Sequence, residues 1–238
     1  MSNQMSNAPM TPSAPTSFFQ TWINALTKPN ERTYAEMAAS PQAKAMTAYL
    51  WVFIGFLIEF VLVFLFQGSA MRLMMEQRGY GNQLPGGGIG ITLISALCGG
   101  PIGAVIATVF FAIGVAIIQW VAKMFGGKGT FDQLAYTFAA IAAPFAIISG
   151  VMSVLGAIPF VGFCFRLILG LAGLYVLFLE ITATKGVNQL GWGQAAGSVL
   201  LPGVVIFVVC CCLVFAISLA TGAAIGNIFS SINQSLVP

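Results

Sequence analysis

The chain reads as an all-α, polytopic integral membrane helical bundle with five transmembrane helices, N-terminus inside and C-terminus outside. Three observations carry that expectation. Charged residues make up 6% of the 238 positions and hydrophobic residues 58%, with a mean hydropathy of +0.95. A water-soluble domain carries about a quarter charged residues, because its surface must be wetted. The few charges here fall between apolar runs of roughly 20 residues, the length that crosses a bilayer. Finally, the basic residues gather in alternate loops, as the positive-inside rule requires. The length leaves no room for a second globular domain. A net charge of +3, dispersed along the chain, points to loop placement and to no nucleic acid partner.

Residues 1–17 are polar, rich in Ser, Asn, Pro and Thr, and read as a disordered tail without a signal peptide. Residues 18–44 form an interfacial amphipathic segment. Phe18, Phe19, Trp22, Ile23 and Leu26 make an apolar stripe followed by Lys28 and Arg32. That pattern predicts a short helix in the headgroup region, aromatic side down, with Phe18, Phe19, Trp22, Lys28 and Arg32 as its anchors. Pro29 breaks it, and Thr33 with Glu36 resembles a capping box for a second short helix. Ser40-Pro41 is a further helix start.

The five-helix domain occupies residues 45–222. Its first span is 45–66, followed by a loop over Gln67 to Gly90 that holds Arg72, Glu76 and Arg78. The second span, 91–122, is overlong, and Gly99-Gly100-Pro101 is expected to break or kink its outer part. Thr130 and Gln133 form a capping box before the third span, 134–155, which Pro144 is expected to kink. The fourth span is 158–181, followed by a polar, glycine-broken loop from Lys185 to Gln194 with Trp192 as an interface anchor. The fifth is 199–220, and a polar tail, 223–238, closes the chain. With the N-terminus inside, Lys28, Arg32, Lys44, Lys123, Lys128 and Lys185 all lie on the inner side. Only Arg72 and Arg78 lie outside.

These residues resemble a family. An aromatic segment ends in a Lys-Pro pair (Trp22 to Pro29). A Gly-Gly-Lys-Gly-Thr-Phe turn (Gly126 to Phe131) precedes a span carrying Ala143-Pro144. The order is similar to that of the Yip domain family, five-span membrane proteins named for binding Rab-type GTPases. The resemblance covers about Phe18 to Leu219 and implies the fold and topology. Eukaryotic members carry a longer cytosolic N-terminal region implicated in GTPase and coat partners. A 17-residue tail lacks that region, which argues against a Rab-type GTPase partner and aligns the chain with the short bacterial branch. The resemblance places it in a bacterial cytoplasmic membrane, with Golgi or endoplasmic reticulum membrane as the alternative.

Chemistry has few places to reside. There is no His, and the single Asp, Asp132, suits a helix N-terminus. The cysteines Cys98, Cys164 and Cys210 to Cys212 fall in apolar segments, where Cys packs as a small hydrophobe. The Gly126 to Thr130 run lacks the preceding strand and glycine spacing of a phosphate loop. No catalytic residue, cofactor site or metal site is expected, and the protein is not expected to be an enzyme.

Ionisable residues at membrane depth are functional candidates, because an unpaired charge there costs several kcal/mol. Counted from the inner ends of their expected spans, Glu59 and Arg166 lie at a matched depth of roughly 21 to 23 Å. This predicts an interhelical ion pair, serving either as a registry device or as part of a proton or ion pathway. Glu180 lies near the inner interface beside Lys185 and is read as snorkelling or paired there. Gly99 and Gly103, and Gly170 and Gly173, allow close helix approach within the bundle or onto a partner. The expected partners are membrane lipids and other integral membrane proteins or a homo-oligomer. The expected role is a scaffold, accessory subunit or membrane-organising factor, with a small transporter or channel as the alternative.

Overall fold

The computed structural model describes residues 17–77, 93–156, 162–205, 208 and 211–212. Residues up to Ser198 form one compact unit, and Val199 onward belongs to a second. Two short helices come first: α1 (Phe18–Thr27) and α2 (Glu31–Ala38). The long helix α3 covers Ala45–Gln77. A π-helical turn, Ser95–Gly99, leads into α4 (Gly100–Met124). Helices α5 (Phe131–Leu155) and α6 (Gly162–Asn188) follow. Residues 192–205, here α7, are also helical. Four segments are long and apolar enough to cross a membrane: Ala45–Phe66, Ser95–Met124, Phe131–Leu155 and Gly162–Asn188. The expected fifth span, 199–220, falls largely outside the described residues, as do both tails.

Local chemistry explains the boundaries, and several differ from expectation. Ser17 caps α1 by accepting from Gln20 N. Helix α2 starts at Glu31, because Asn30 Oδ1 accepts from Thr33 N at 2.9 Å. Glu36 is therefore not a capping-box residue; it pairs with Arg32 one turn back at 2.9 Å. Ser40-Pro41 lies in a turn, and the membrane helix begins at Ala45. That helix runs on through residues 67–77, where a loop was expected.

At Gly99-Gly100-Pro101 the helical path does not break. Gly99 and Gly100 keep right-handed helical dihedrals, and Pro101 sits in the first turn of α4, where its missing N–H is tolerated. The π turn just before it is the local accommodation. The capping box at Thr130 and Gln133 is complete, with both reciprocal bonds present (2.9 and 3.3 Å). Helix α5 continues through Pro144.

Small residues set the packing of the membrane helices. Helix α3 packs most extensively on α5. A Cβ added at Gly55 would lie 2.7 Å from the Ala143 carbonyl oxygen, and one at Gly150 would lie 2.9 Å from Glu59 Cα. The two backbones therefore nearly touch, and they run parallel. Ala139, Ala143 and Ala146 on α5 are buried along this seam. Helix α4 packs antiparallel on α3: Gly99 and Gly103 sit against the rings of Phe64 and Phe60, where a Cβ would approach to 3.2 and 3.1 Å. Gly170 and Gly173 on α6 have nothing within 4 Å of an added Cβ, so these two glycines make no close helix contact within the described fold.

In this arrangement the N-terminal ends of α3 and α5 and the C-terminal ends of α4 and α6 share one end of the bundle. Lys44, Lys123, Lys128 and Lys185 lie there, and the α1–α2 pair docks there against α5 and α6. The described cysteines Cys98, Cys164, Cys211 and Cys212 are unbridged and exposed on the chain's exterior.

The crossing yields a direct prediction. Gly55→Val forces α3 and α5 apart and is expected to cost about 1–3 kcal/mol, read as a lowered unfolding temperature in detergent. Gly114→Ala, where an added Cβ meets nothing within 4 Å, is expected to be neutral or slightly stabilising. Equal Tm values for the two variants would refute the seam.

Candidate functional site

Three polar constructions stand out in the apolar bundle. One is the platform at the basic end, the second is a buried amide pair beside it, and the third is a carboxyl–hydroxyl pair inside the membrane-spanning helices.

The platform is held from several sides. Trp22 is buried and meets Trp51 of α3 edge-on, with ring centroids 5.8 Å apart; Trp51 in turn stacks obliquely on Tyr136 of α5 at 4.9 Å. Tyr34 is fully buried and donates to the Ala25 carbonyl at 2.7 Å, tying α2 to α1. Burial, and secondarily the neighbouring Tyr175, raises the Tyr34 phenol above its ordinary pKa, so it remains a hydrogen-bond donor. Tyr175 of α6 donates to the Leu26 carbonyl at 2.7 Å. Lys185 of α6 forms an ion pair with Glu31 at the start of α2. Gly186 admits the backbone of Glu31, since a Cβ there would collide with the Glu31 carbonyl. The aromatic segment is thus docked onto the bundle through Trp22, while Phe18 and Phe19 are 50% and 60% exposed. Of the five expected anchors, Trp22 proves to be an internal packing residue; Phe18, Phe19, Lys28 and Arg32 face outward.

Beside this platform, a buried amide pair locks the glycine-rich turn. Gln119 Nε2 donates to the Gly129 carbonyl at 2.7 Å and to Asn188 Oδ1 at 3.0 Å. Asn188 Nδ2 returns a bond to Gln119 Oε1 at 3.1 Å. Lys128 N donates to the Asn188 carbonyl at 3.1 Å. Gly126 adopts φ +89°, a left-handed conformation that glycine reaches without strain. Gly127 and Gly129 are needed for a second reason: a Cβ at either would lie 2.7 Å from Asn188 Oδ1 or Val187 Cγ1. The Gly-Gly-Lys-Gly-Thr run is a backbone docking surface for the end of α6. Its glycines were visible in the sequence, but Gln119 and Asn188 were missed, because nothing local marks two amides 69 positions apart as partners.

Within the spans, the Ser149 hydroxyl of α5 hydrogen-bonds the Glu59 carboxyl of α3. Ser149 Oγ also lies 3.0 Å from the Ala146 carbonyl. Arg166 is not brought to this site. It is exposed on α6, and no ion pair joins it to Glu59 among the described residues. The physical reasons are neighbourhood and depth: α6 packs on α5 and α2, and α3 is not among its main neighbours. Helix α6 extends to Asn188, seven residues past the expected inner end, because Thr182, Ala183, Thr184 and Val187 are buried against their neighbours. Arg166 then lies about six turns (about 33 Å) from the basic end, and Glu59 about four turns (about 21 Å). Glu180 is half-buried, and Lys185 pairs with Glu31 instead of with it.

The same extension replaces the expected glycine-broken loop. Helix α6 ends in a Schellman-like turn, with Gln189 in the left-handed region (φ 54°) and Leu190 N bonded to the Lys185 carbonyl at 3.2 Å. Trp192 follows, stacked on Phe178 at 6.3 Å and lying under the Lys185 ammonium at 4.6 Å.

Two outcomes test this construction. Asn188→Leu strands the buried Gln119 amide and is expected to cost about 1–3 kcal/mol; Gln119→Leu with Asn188→Leu should cost less than the sum of the singles in a double-mutant cycle. Tyr34→Phe is expected to cost about 0.5–1.5 kcal/mol and to increase protease cleavage between α2 and α3. Additive amide variants, or an unchanged cleavage pattern, would remove the docking roles assigned here.

Comparison with known proteins returns one family. A family model described as Yip1 domain matches residues 23–229. No curated protein and no solved structure matches the chain.

Proposed function

The chain belongs to the Yip1 domain family, and from that premise we propose a non-enzymatic integral membrane protein that acts as a scaffold, accessory subunit or membrane-organising factor. In this reading the protein has five spans, the fifth being the apolar run at 199–220. It lies N-terminus inside and C-terminus outside. Lys44, Lys123, Lys128 and Lys185 cluster at the end that carries the N-terminal pair, which supports that orientation. The proposal sets it in a bacterial cytoplasmic membrane, with a Golgi or endoplasmic reticulum membrane as the alternative, and among lipids and other membrane proteins as partners.

The observation that carries the reading is the docked α1–α2 platform. It is tied down through Trp22, Tyr34, Tyr175 and Lys185, yet it turns the exposed rings of Phe18 and Phe19 away from the bundle. A held element with an exposed aromatic edge suits contact with lipid or another membrane protein. The polar pairs inside the bundle serve it as well. Gln119 with Asn188 and Glu59 with Ser149 each join two segments.

The test is mild-detergent purification from the native membrane with mass spectrometry of what co-purifies. Phe18→Ala with Phe19→Ala is expected to lower recovery of a stoichiometric partner several-fold while leaving insertion intact. Trp22→Ala should also undock the platform, at about 3–5 kcal/mol. Recovery unchanged by the Phe pair would count against the contact role.

The transporter alternative is favoured by one observation, a carboxyl with a hydroxyl partner inside the spans. Glu59→Gln separates the two readings, because an amide still reaches Ser149. The expected outcome is unchanged assembly and no flux in reconstituted vesicles before or after the change. Flux that is present in the parent and lost in Glu59→Gln would overturn the scaffold reading.

A further inference from the structure

Between α2 and the end of α6 lies an open pocket of about 470 Å³, lined by Glu31, Arg32, Ala35, Lys185, Gln189 and Leu190. Its depth is set by α6. A 27-residue helix is about 40 Å long, some 10 Å more than the hydrocarbon layer, so its last turns stand at headgroup level. Trp192 is 52% exposed and stacked on Phe178, which is where an interfacial aromatic belongs.

The pocket's charges are of both signs. Lys185 is mostly enclosed, with its side chain 17% exposed, and lies between Glu31 and the Trp192 ring. Arg32 points outward, with its side chain 81% exposed, and its Nε is bonded to Glu36. The two cations are therefore matched by two carboxylates. A purely anionic ligand would have to displace Glu31 from Lys185 and leave that carboxylate unmatched, whereas a zwitterion supplies a partner for each.

An apolar track adjoins the pocket. Leu171, Leu174, Tyr175 and Phe178 are exposed along α6, and Leu171 and Phe178 are spaced by sevens from Lys185, so they share its face. A charged cavity at headgroup depth with an apolar stripe leading into the bilayer has the shape of a phospholipid.

We infer that this pocket binds the headgroup of an aminophospholipid, with the phosphate toward Lys185 and Arg32, the ammonium toward Glu31, and an acyl chain along Phe178 and Leu174. The inference rests on the membrane-organising reading and names its lipid. Its readout needs no partner protein, so either can fail without the other.

The experiment is native mass spectrometry of the full chain in detergent, with added phosphatidylethanolamine, phosphatidylglycerol or diacylglycerol. Phosphatidylethanolamine is expected to be retained about ten-fold better than either other lipid. Arg32→Ala is expected to reduce that retention, and Glu31→Gln to shift preference toward phosphatidylglycerol. Arg32 is the safe variant because its only bond among the described residues is to Glu36 on the same helix. Thermal unfolding of each variant verifies that it is folded. Equal retention of phosphatidylethanolamine and diacylglycerol, or retention unchanged in both variants, would overturn the assignment. Preference for phosphatidylglycerol in the parent chain would overturn the zwitterionic chemistry. Equal stabilisation by soluble phosphoethanolamine would replace the lipid with a free phosphoester.

Discussion

The near-contact of the α3 and α5 backbones at Gly55 and Ala143 is the constraint on which the rest of the bundle depends. Lipid tails are as apolar as leucine, so burying hydrocarbon does not drive helices together in a bilayer. Close van der Waals packing and hydrogen bonds must do so. Glycine opposite alanine lets the axes approach, and that approach brings Glu59 within reach of Ser149 one to two turns along the seam. At the other end, the same register places Trp51 against Tyr136 and leaves a face on which Trp22 can dock. One crossing therefore sets both the intramembrane polar pair and the seat of the N-terminal platform.

The platform shows how a nearly charge-free protein builds a defined surface. Each tie is made by a residue whose polar tip reaches a backbone carbonyl or a single opposite charge: Tyr34 to Ala25, Tyr175 to Leu26, Lys185 to Glu31. Tyrosine suits this position because its ring packs in apolar surroundings while its hydroxyl finds an acceptor. The glycine-rich turn does the complementary task. Gly127 and Gly129 clear space for Asn188 and Val187, and the Gln119–Asn188 amides satisfy each other where no water reaches. The basic end is thus rigid and polar on a scale of a few residues, on top of a bundle otherwise held by small-residue packing.

Much of this was legible in the sequence. Apolar runs bounded by charges placed the first and third spans closely, and the Thr130–Gln133 cap was recognisable, because both signals are local. Of the glycines expected at close helix approaches, Gly99 and Gly103 sit against Phe64 and Phe60, whereas Gly170 and Gly173 meet nothing within 4 Å. The departures from the sequence pattern share a cause. Helix α6 continues to Asn188 only because Thr182, Thr184 and Asn188 are buried, which hydropathy alone does not foresee. That extension in turn displaced Arg166 from the depth of Glu59. Trp22 looked like a membrane anchor because an aromatic stripe is ambiguous until its partner, Trp51, is known.

By itself, then, the sequence determined the helical membrane class, the first and third spans, the gathering of basic residues and the family resemblance, since each rests on composition or spacing along the chain. Only the tertiary structure decided that Glu59 meets Ser149 and not Arg166, that Trp22 is internal while Phe18 and Phe19 are exposed, and that Gln119 and Asn188 form a pair. Those outcomes depend on rotation and depth of one helix against another. Such quantities are set by side-chain volume at a few crossings, and they leave no periodic trace in the sequence.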